Sequence, residues 1–251
     1  MNTVTQLVRE FSGQEFSQEP SADRLLAASR AMADHYARME QAIAVLSDLR
    51  TNTSRIWYGG FSRTLGLASP GEPREVSSIW EEEIFRLIHP DDLARKHLQE
   101  LCFFHFIKNQ PRRRRGDYCL MSRLRMKTAT HGYMPVLHRM FYIADPAHAA
   151  QRLAMCLYGP LFFEMPSACL VVDWIDGHTE ELEVPRTSKI LSPRETQILR
   201  LIDRGLTSKE IASMLSISIH TVSRHRQEIL GKLQVKNSIE ACRLAKNLRL
   251  L

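Results

Sequence analysis

Residues 191–241 read LSPRETQILRLIDRGLTSKEIASMLSISIHTVSRHRQEILGKLQVKNSIEA, and this stretch decides the fold of the C-terminal part of the chain. Ser192, followed three residues later by Glu195, is a capping box, and Pro193 sits at the first helical position, where its missing N–H costs nothing. Ile198, Leu201 and Ile202 then repeat at helical spacing until Gly205, the kind of residue that closes a helix in the left-handed conformation. Thr207 and Glu210 form a second capping box ahead of Ile211, Ala212 and Leu215. Ser218 caps a third segment. Within it Val222, Ile229, Leu230 and Leu233 face one way, while His220, Ser223, Arg224, Gln227 and Gly231 line a polar side that contains no acid. A fourth helix runs from Ser238 to Leu250. Two short helices, a tight turn and a third amphipathic helix of this kind predict a helix-turn-helix, whose recognition helix lies in the major groove of DNA.

Charge agrees with that reading. Residues 188–251 hold twelve Lys and Arg against five Asp and Glu, a surplus of seven, whereas the whole chain carries +6. Residues 1–187 are therefore near neutral, with 22 basic and 23 acidic side chains. The basic excess belongs to the C-terminal module alone, as a nucleic-acid footprint requires.

The same residues resemble the LuxR/FixJ-type four-helix DNA-binding domain of bacterial transcription factors. The SPRE start, the segment GLTSKEIA at 205–212, S-x-x-T-V-x-x-H from Ser218 to His225 and K-L-x-V from Lys232 to Val235 occur in order without a gap. The resemblance implies that Ser223, Arg224 and Gln227 face base edges. It implies that Thr207, Lys209, Thr221, His225 and Lys232 approach phosphates, and His220 and Arg226 on the same helix join that set. Ser192, Thr207 and Ser218 are read first as caps, and His225 as a packing histidine that reaches one phosphate. Ser238 departs from the family, which usually has an arginine after Asn237, so one phosphate contact is missing there. The implied partners are double-stranded DNA, a second copy of the chain paired through the fourth helix, and RNA polymerase.

The remaining composition, 44% hydrophobic and 25% charged over 251 residues, suits two folded domains. Met1 to Phe16 carries Arg9, Glu10 and Glu15 and does not read as a signal peptide. The apolar run from Leu153 to Val172 is broken by Gly159-Pro160, Glu164 and Pro166, so no membrane span is expected. Five scattered cysteines without a C-x-x-C pair read as buried free thiols in a reducing cytoplasm.

Before the module, Ser21 to Leu49 is helical by pattern, with Leu25, Leu26, Met32, Tyr36, Met39, Ile43, Leu46 and Leu49 at threes and fours. Ile56-Trp57-Tyr58 reads as a short strand, Gly59-Gly60 as a turn and Trp80 to Ile88 as a short helix. His89-Pro90-Asp91-Asp92 opens a helix to about Asn109, with acids at its positive end. Arg112 to Arg115 reads as a solvated hairpin turn entering a strand, with phosphates or an acidic partner as the lesser alternative. Tyr118 to Thr128, Tyr133 to Ala144, Gln151 to Tyr158 and Cys169 to Trp174 read as strands, with turns at His131-Gly132, Asp145-Pro146 and Asp176-Gly177. The N-terminal unit is thus α+β.

That order resembles a PAS domain from about Glu40 to Asp176, through W-Y-G-G-F-S-R-T-L-G-L and I-H-P-D-D-L. It implies a sensory or dimerisation fold with no identified ligand. The expected organisation is a helical segment at 1–39, a PAS-like domain at 40–179, a linker at 180–189 and the helix-turn-helix domain at 190–251. His89, His97 and His105 are read as core or surface histidines, with no metal or cofactor. An acyl-homoserine-lactone receptor of the LuxR type suits the length, but its Trp/Tyr/Asp pocket signature has no counterpart here. A receiver domain would need more chain after Asp173 than remains before the linker. No P-loop, G-x-S-x-G or H-E-x-x-H occurs, so no enzyme is expected. The alternative from another class is a sensor or scaffold without specific DNA readout.

Overall fold

The computed structural model describes residues 7, 10, 11, 14, 20–67, 71–130, 132–144, 151–182, 191–233, 235 and 237–247. The chain divides into two compact units. One comprises Arg9–Leu93 and Phe103–Leu182, the other Met1–Val8, Ala94–Cys102 and Glu183–Leu251. Among the described residues no helix is long and apolar enough to cross a membrane.

The first unit begins with α1 (Pro20–Met39), then β1 (Ile43–Asp48) and β2 (Thr53–Tyr58). The periodicity that predicted one helix to Leu49 overran by ten residues. Gln41 takes φ 54° and breaks the helix, and the six residues of β1 are all buried, so they lack the alternation that marks a strand covered on one side only. The tight return at Gly59 is set by sterics. A Cβ there would lie 2.4 Å from the carbonyl oxygens of both Ala37 and Ala42, so only glycine fits.

Short helices α2 (Phe61–Thr64) and α3 (Glu82–Phe85) and the edge strand β3 (Arg74–Val76) lead to α4 (Pro90–Asn109). His89 caps α4, its Nδ1 accepting the Asp91 N–H at 3.3 Å. Within α4, His97 is buried and its pKa is pulled down to about 3, by burial first and then by the Lys96 charge. It is a neutral packing residue. His105 is instead partly exposed, 3.5 Å from Glu10. The three histidines thus do three separate structural jobs.

The arginine run is not a hairpin turn. Arg112–Asp117 forms a 3-10 helix in which Arg114 bonds Asp117 at 3.2 Å and Asp173 at 2.5 Å, while Arg115 donates to the Gln110 and Lys108 carbonyls at the end of α4. Those carbonyls have no partner inside the helix, which is why a guanidinium settles there.

Strands β4 (Tyr118–Lys127), β5 (Tyr133–Ala144), β6 (Gln151–Pro160), β7 (Cys169–Asp173) and β8 (Thr179–Glu181) complete an antiparallel sheet of order β3-β2-β1-β6-β5-β4-β7-β8. β8 was not expected from sequence, and it draws the first residues of the expected linker into the sheet. The turn glycines Gly132 and Gly177 have φ 78° and 76°, while Asp145-Pro146 lies outside the described residues. On one face, register aligns Ser54, Ser47, Ala154 and Tyr142 in a row across four strands. Phe103 and Phe104 of α4 pack on Tyr142. On the other face Ala33 and Ala37 of α1 sit against Ala44, Leu46, Trp57, Leu153, Met155 and Leu157. The result is PAS-like: a strand pair, short helices, the helix opened by His89-Pro90-Asp91-Asp92, and three long antiparallel strands. The five cysteines lie outside any disulfide, four of them buried and Cys102 partly so, and burial pushes the Cys119 thiol up to about 12.

The second unit contains α5 (Pro193–Asp203), α6 (Ser208–Met214), α7 (Ile219–Leu233) and α8 (Ser238–Asn247). Leu191, Ile198, Leu199, Ile211, Val222, Ile229, Leu233, Ala241 and Ala245 form its core. Gly205 closes α5 with φ 86°, as expected.

Candidate nucleic-acid interface

Two capping boxes orient the first two helices. The Ser192 hydroxyl accepts the Glu195 N–H at 3.2 Å while the Glu195 carboxylate accepts the Ser192 N–H at 2.6 Å. Thr207 and Glu210 repeat the arrangement at 3.3 and 2.8 Å. Ser218 then caps α7, accepting the Thr221 N–H at 3.0 Å. Between α6 and α7 the chain turns through Ser216 at φ 51°.

Burial splits α7 as the pattern requires. Val222, Ile229 and Leu233 are buried, whereas His220, Ser223, Arg224, Gln227 and Gly231 are exposed. These five lie on consecutive turns of one helix, so their side chains share one face. Lys209 near the start of α6 is also exposed. The face is not free of acid influence, since Glu228 reaches Arg224 at 3.6 Å and His225 at 3.1 Å. Side-chain reach, which a one-dimensional stripe leaves out, brings that carboxylate in.

Of the residues expected at phosphates, several are engaged within the unit. Thr207 gives its hydroxyl and N–H to Glu210, and the Thr221 hydroxyl lies 2.9 Å from that of Ser218. Arg226 is only partly exposed; it donates to Ser208 Oγ at 3.0 Å and Ser238 Oγ at 2.9 Å, tying α7 to the starts of α6 and α8. Ser238, the departure from the family pattern, is thus a partner for Arg226. Lys232 places its ammonium 2.6 Å from Glu195. Sequence reasoning read Lys232 and Arg226 as phosphate contacts and did not find these partners, because helix position shows direction but not which neighbouring acid or hydroxyl the side chain can reach.

Glu195, His225 and Glu228 bring ligand-type atoms within 4.8 Å of one another. The Lys232 ammonium already supplies the cation to Glu195 there. Burial raises the Glu195 pKa, but the bonds from Lys232 and Ser192 and the Lys232 charge outweigh it and the net shift is downward. What the unit presents is a capped scaffold holding one polar helix face outward.

Such a scaffold defines a helix-turn-helix unit. A family model described as bacterial regulatory proteins, luxR family, matches residues 189–245, so this segment is a luxR-family domain. The oxygen regulatory protein NreC of Staphylococcus haemolyticus (strain JCSC1435) is 38% identical over 74 residues, covering 30% of this chain and 34% of that protein. NreC of Staphylococcus aureus (strain JH9) is 44% identical over 63 residues, covering 25% and 29%. The chain therefore spans about a third of the length of these curated relatives. Among solved structures, a phage VqmA–DPO complex aligns over 88% of this chain and 89% of that one, at 14% identity and a TM-score of 0.31, too slight a likeness to bear on ligand or partner.

Proposed function

We propose that the protein is a cytoplasmic, homodimeric, sequence-specific DNA-binding transcription regulator, with a PAS-like domain at 40–179 that senses a signal or mediates dimerisation, a linker at 180–189 and a reading domain at 190–251. The observation that carries this is the exposed face of α7, His220, Ser223, Arg224 and Gln227, held outward by a capped luxR-family scaffold in a C-terminal module with twelve Lys and Arg against five Asp and Glu. Ser223, Arg224 and Gln227 read base edges. Lys209 and His220 supply phosphate contacts with side chains already exposed. Thr207, Thr221, His225, Arg226 and Lys232 approach the backbone too, and do so while sharing or exchanging the bonds that hold them. Phosphate contacts position the helix and base contacts specify the site.

Selection from a random duplex pool, followed by titration of the winner against salt, tests the reading. An enriched inverted repeat, bound with an affinity that falls steeply as salt rises, is the expected result. Arg224→Ala flattens the preference between the winner and its single-base variants by about 1–3 kcal/mol, the worth of a bidentate arginine–guanine contact. Lys209→Ala weakens binding to all sequences alike and lowers the salt slope by about one. An unchanged preferred sequence in Arg224→Ala would put base reading elsewhere, and no enriched motif from the intact protein would remove the proposal.

A further inference from the structure

A cleft of about 340 Å³ opens in the first unit between α1, the β1–β2 hairpin and β3. Three guanidiniums line it, from Arg30, Arg50 and Arg55, against two carboxylates, Asp48 and Glu75. The arginines come from three different segments, so their convergence belongs to the tertiary fold and not to a charge run. Arg55 lies 3.7 Å from Glu75 and 5.8 Å from the Trp57 ring centroid, while its Nε is buried without a hydrogen-bond partner. Arg30 and Arg50 are exposed, and no ion pair engages either among the described residues.

Asp48 does not offset these charges, because it is already committed. On its buried side lies Arg152, which has 0% exposure and no hydrogen bond to Nε, Nη1 or Nη2. The Arg152 guanidinium is 3.6 Å from Asp48 Oδ2, and the other oxygen, Oδ1, accepts the Arg50 N–H at 2.9 Å. A buried guanidinium needs a nearby counter-charge, so the Asp48 charge is taken up by Arg152. With Asp48 balanced by the buried Arg152 outside the cleft, the lining sets three guanidiniums against the one remaining carboxylate, Glu75, a surplus of two positive charges in a cleft walled partly by Leu46. Low-dielectric walls strengthen attraction for an oxyanion, and guanidiniums match the flat or tetrahedral fork of carboxylate and phosphate oxygens.

We propose that this cleft binds a small organic dianion, two negative charges on oxygens in a compact molecule, with Arg30, Arg50 and Arg55 as its ligating side chains. The volume is at the small end of ligand pockets, which suits a dicarboxylate or a short phosphate monoester and not a nucleotide. The site is independent of the DNA-reading proposal and stands or falls by direct binding.

The test is calorimetric titration and thermal unfolding of the full chain with succinate and with glycerol phosphate, at millimolar concentration and matched ionic strength against sodium chloride. Binding of at least one probe is expected, with a raised unfolding temperature, and the stronger probe identifies carboxylate or phosphate as the preferred source of the charge. Arg30→Gln with Arg50→Gln, both exposed and so compatible with folding, weakens binding at least about tenfold, the worth of one lost charge-assisted hydrogen bond or more. Arg24→Gln, exposed on the same helix and outside the cleft, leaves it unchanged. Absence of binding by either probe overturns the proposal. So does binding that survives Arg30→Gln with Arg50→Gln but is lost in Lys209→Ala with Arg224→Ala, which would place the anion on the helical unit.

Discussion

Glu195 does two jobs with one carboxylate. It is 2% exposed, completes the cap of α5 through Ser192 and neutralises Lys232 from α7. Its folded pKa lies below the ordinary carboxylate value. The stability it contributes is therefore fully present above the unfolded pKa and is lost as pH falls through the folded one. Glu195→Gln is expected to lower stability at neutral pH and to flatten the acid limb that begins as pH falls below the ordinary glutamate pKa of about 4.3; urea unfolding from neutral into acid pH measures both. An acid limb as steep as the wild type's would show that other carboxylates govern it. Glu195→Ala is harsher and costs about 3 kcal/mol, because it strands the partly buried Lys232 charge and removes half a capping box. The cap was legible in the Ser192 to Glu195 spacing. The pairing with Lys232 was not, since the two residues are 37 apart in sequence and meet only when α7 folds over the start of α5.

At the scale of elements, glycines separate what is tolerated from what is required. Gly231 lies inside α7 with nothing within 4 Å of a Cβ added there. Gly231→Ala is expected to raise stability by about 0.5–1 kcal/mol through reduced chain entropy and better helix propensity, seen as a higher midpoint in thermal unfolding; an unchanged or lower midpoint would contradict the open space at that position. Gly59 is the opposite case. Gly59→Ala pushes a methyl group into backbone oxygens of α1 and the entry to β1, and the expected loss is about 1–3 kcal/mol, as for other overpacked sites, measured by the same unfolding experiment. A near-neutral variant would mean that the turn from β2 into α2 shifts freely. Elements with a polar side and a cap were readable: α5, α6 and α7 begin where Ser192, Thr207 and Ser218 said they would. β1 was not, because a strand buried on both faces carries no two-residue alternation, and its Ile43 and Leu46, with Leu49 just beyond it, mimic a continuing helix.

For the whole molecule, the sheet order and the charge clusters are the features that local pattern could not supply. β3 and β8 are three-residue edge strands with charged side chains, Arg-Glu-Val and Thr-Glu-Glu, short and polar as exposed edges are in natural sheets, and that brevity left them below any periodicity signal. The four-arginine run shows the same limit: one-dimensional charge suggested a solvated loop, yet Asp173, 59 residues on from Arg114, and the open carbonyls of α4 draw two of the four inward. Sequence by itself determined the helical C-terminal module, its caps, its basic surplus and its exposed polar face, since each depends on spacings within one or two turns. It also determined the α+β character of the rest, through Pro, Gly and β-rich runs. Only the tertiary structure decided which cations of α7 are held by Glu195, Ser208 and Ser238. Only it brought Arg30, Arg50 and Arg55 into one cleft and set Arg152 against Asp48, because electrostatic partners are chosen by distance in space, which register and packing set after the local pattern has been used up.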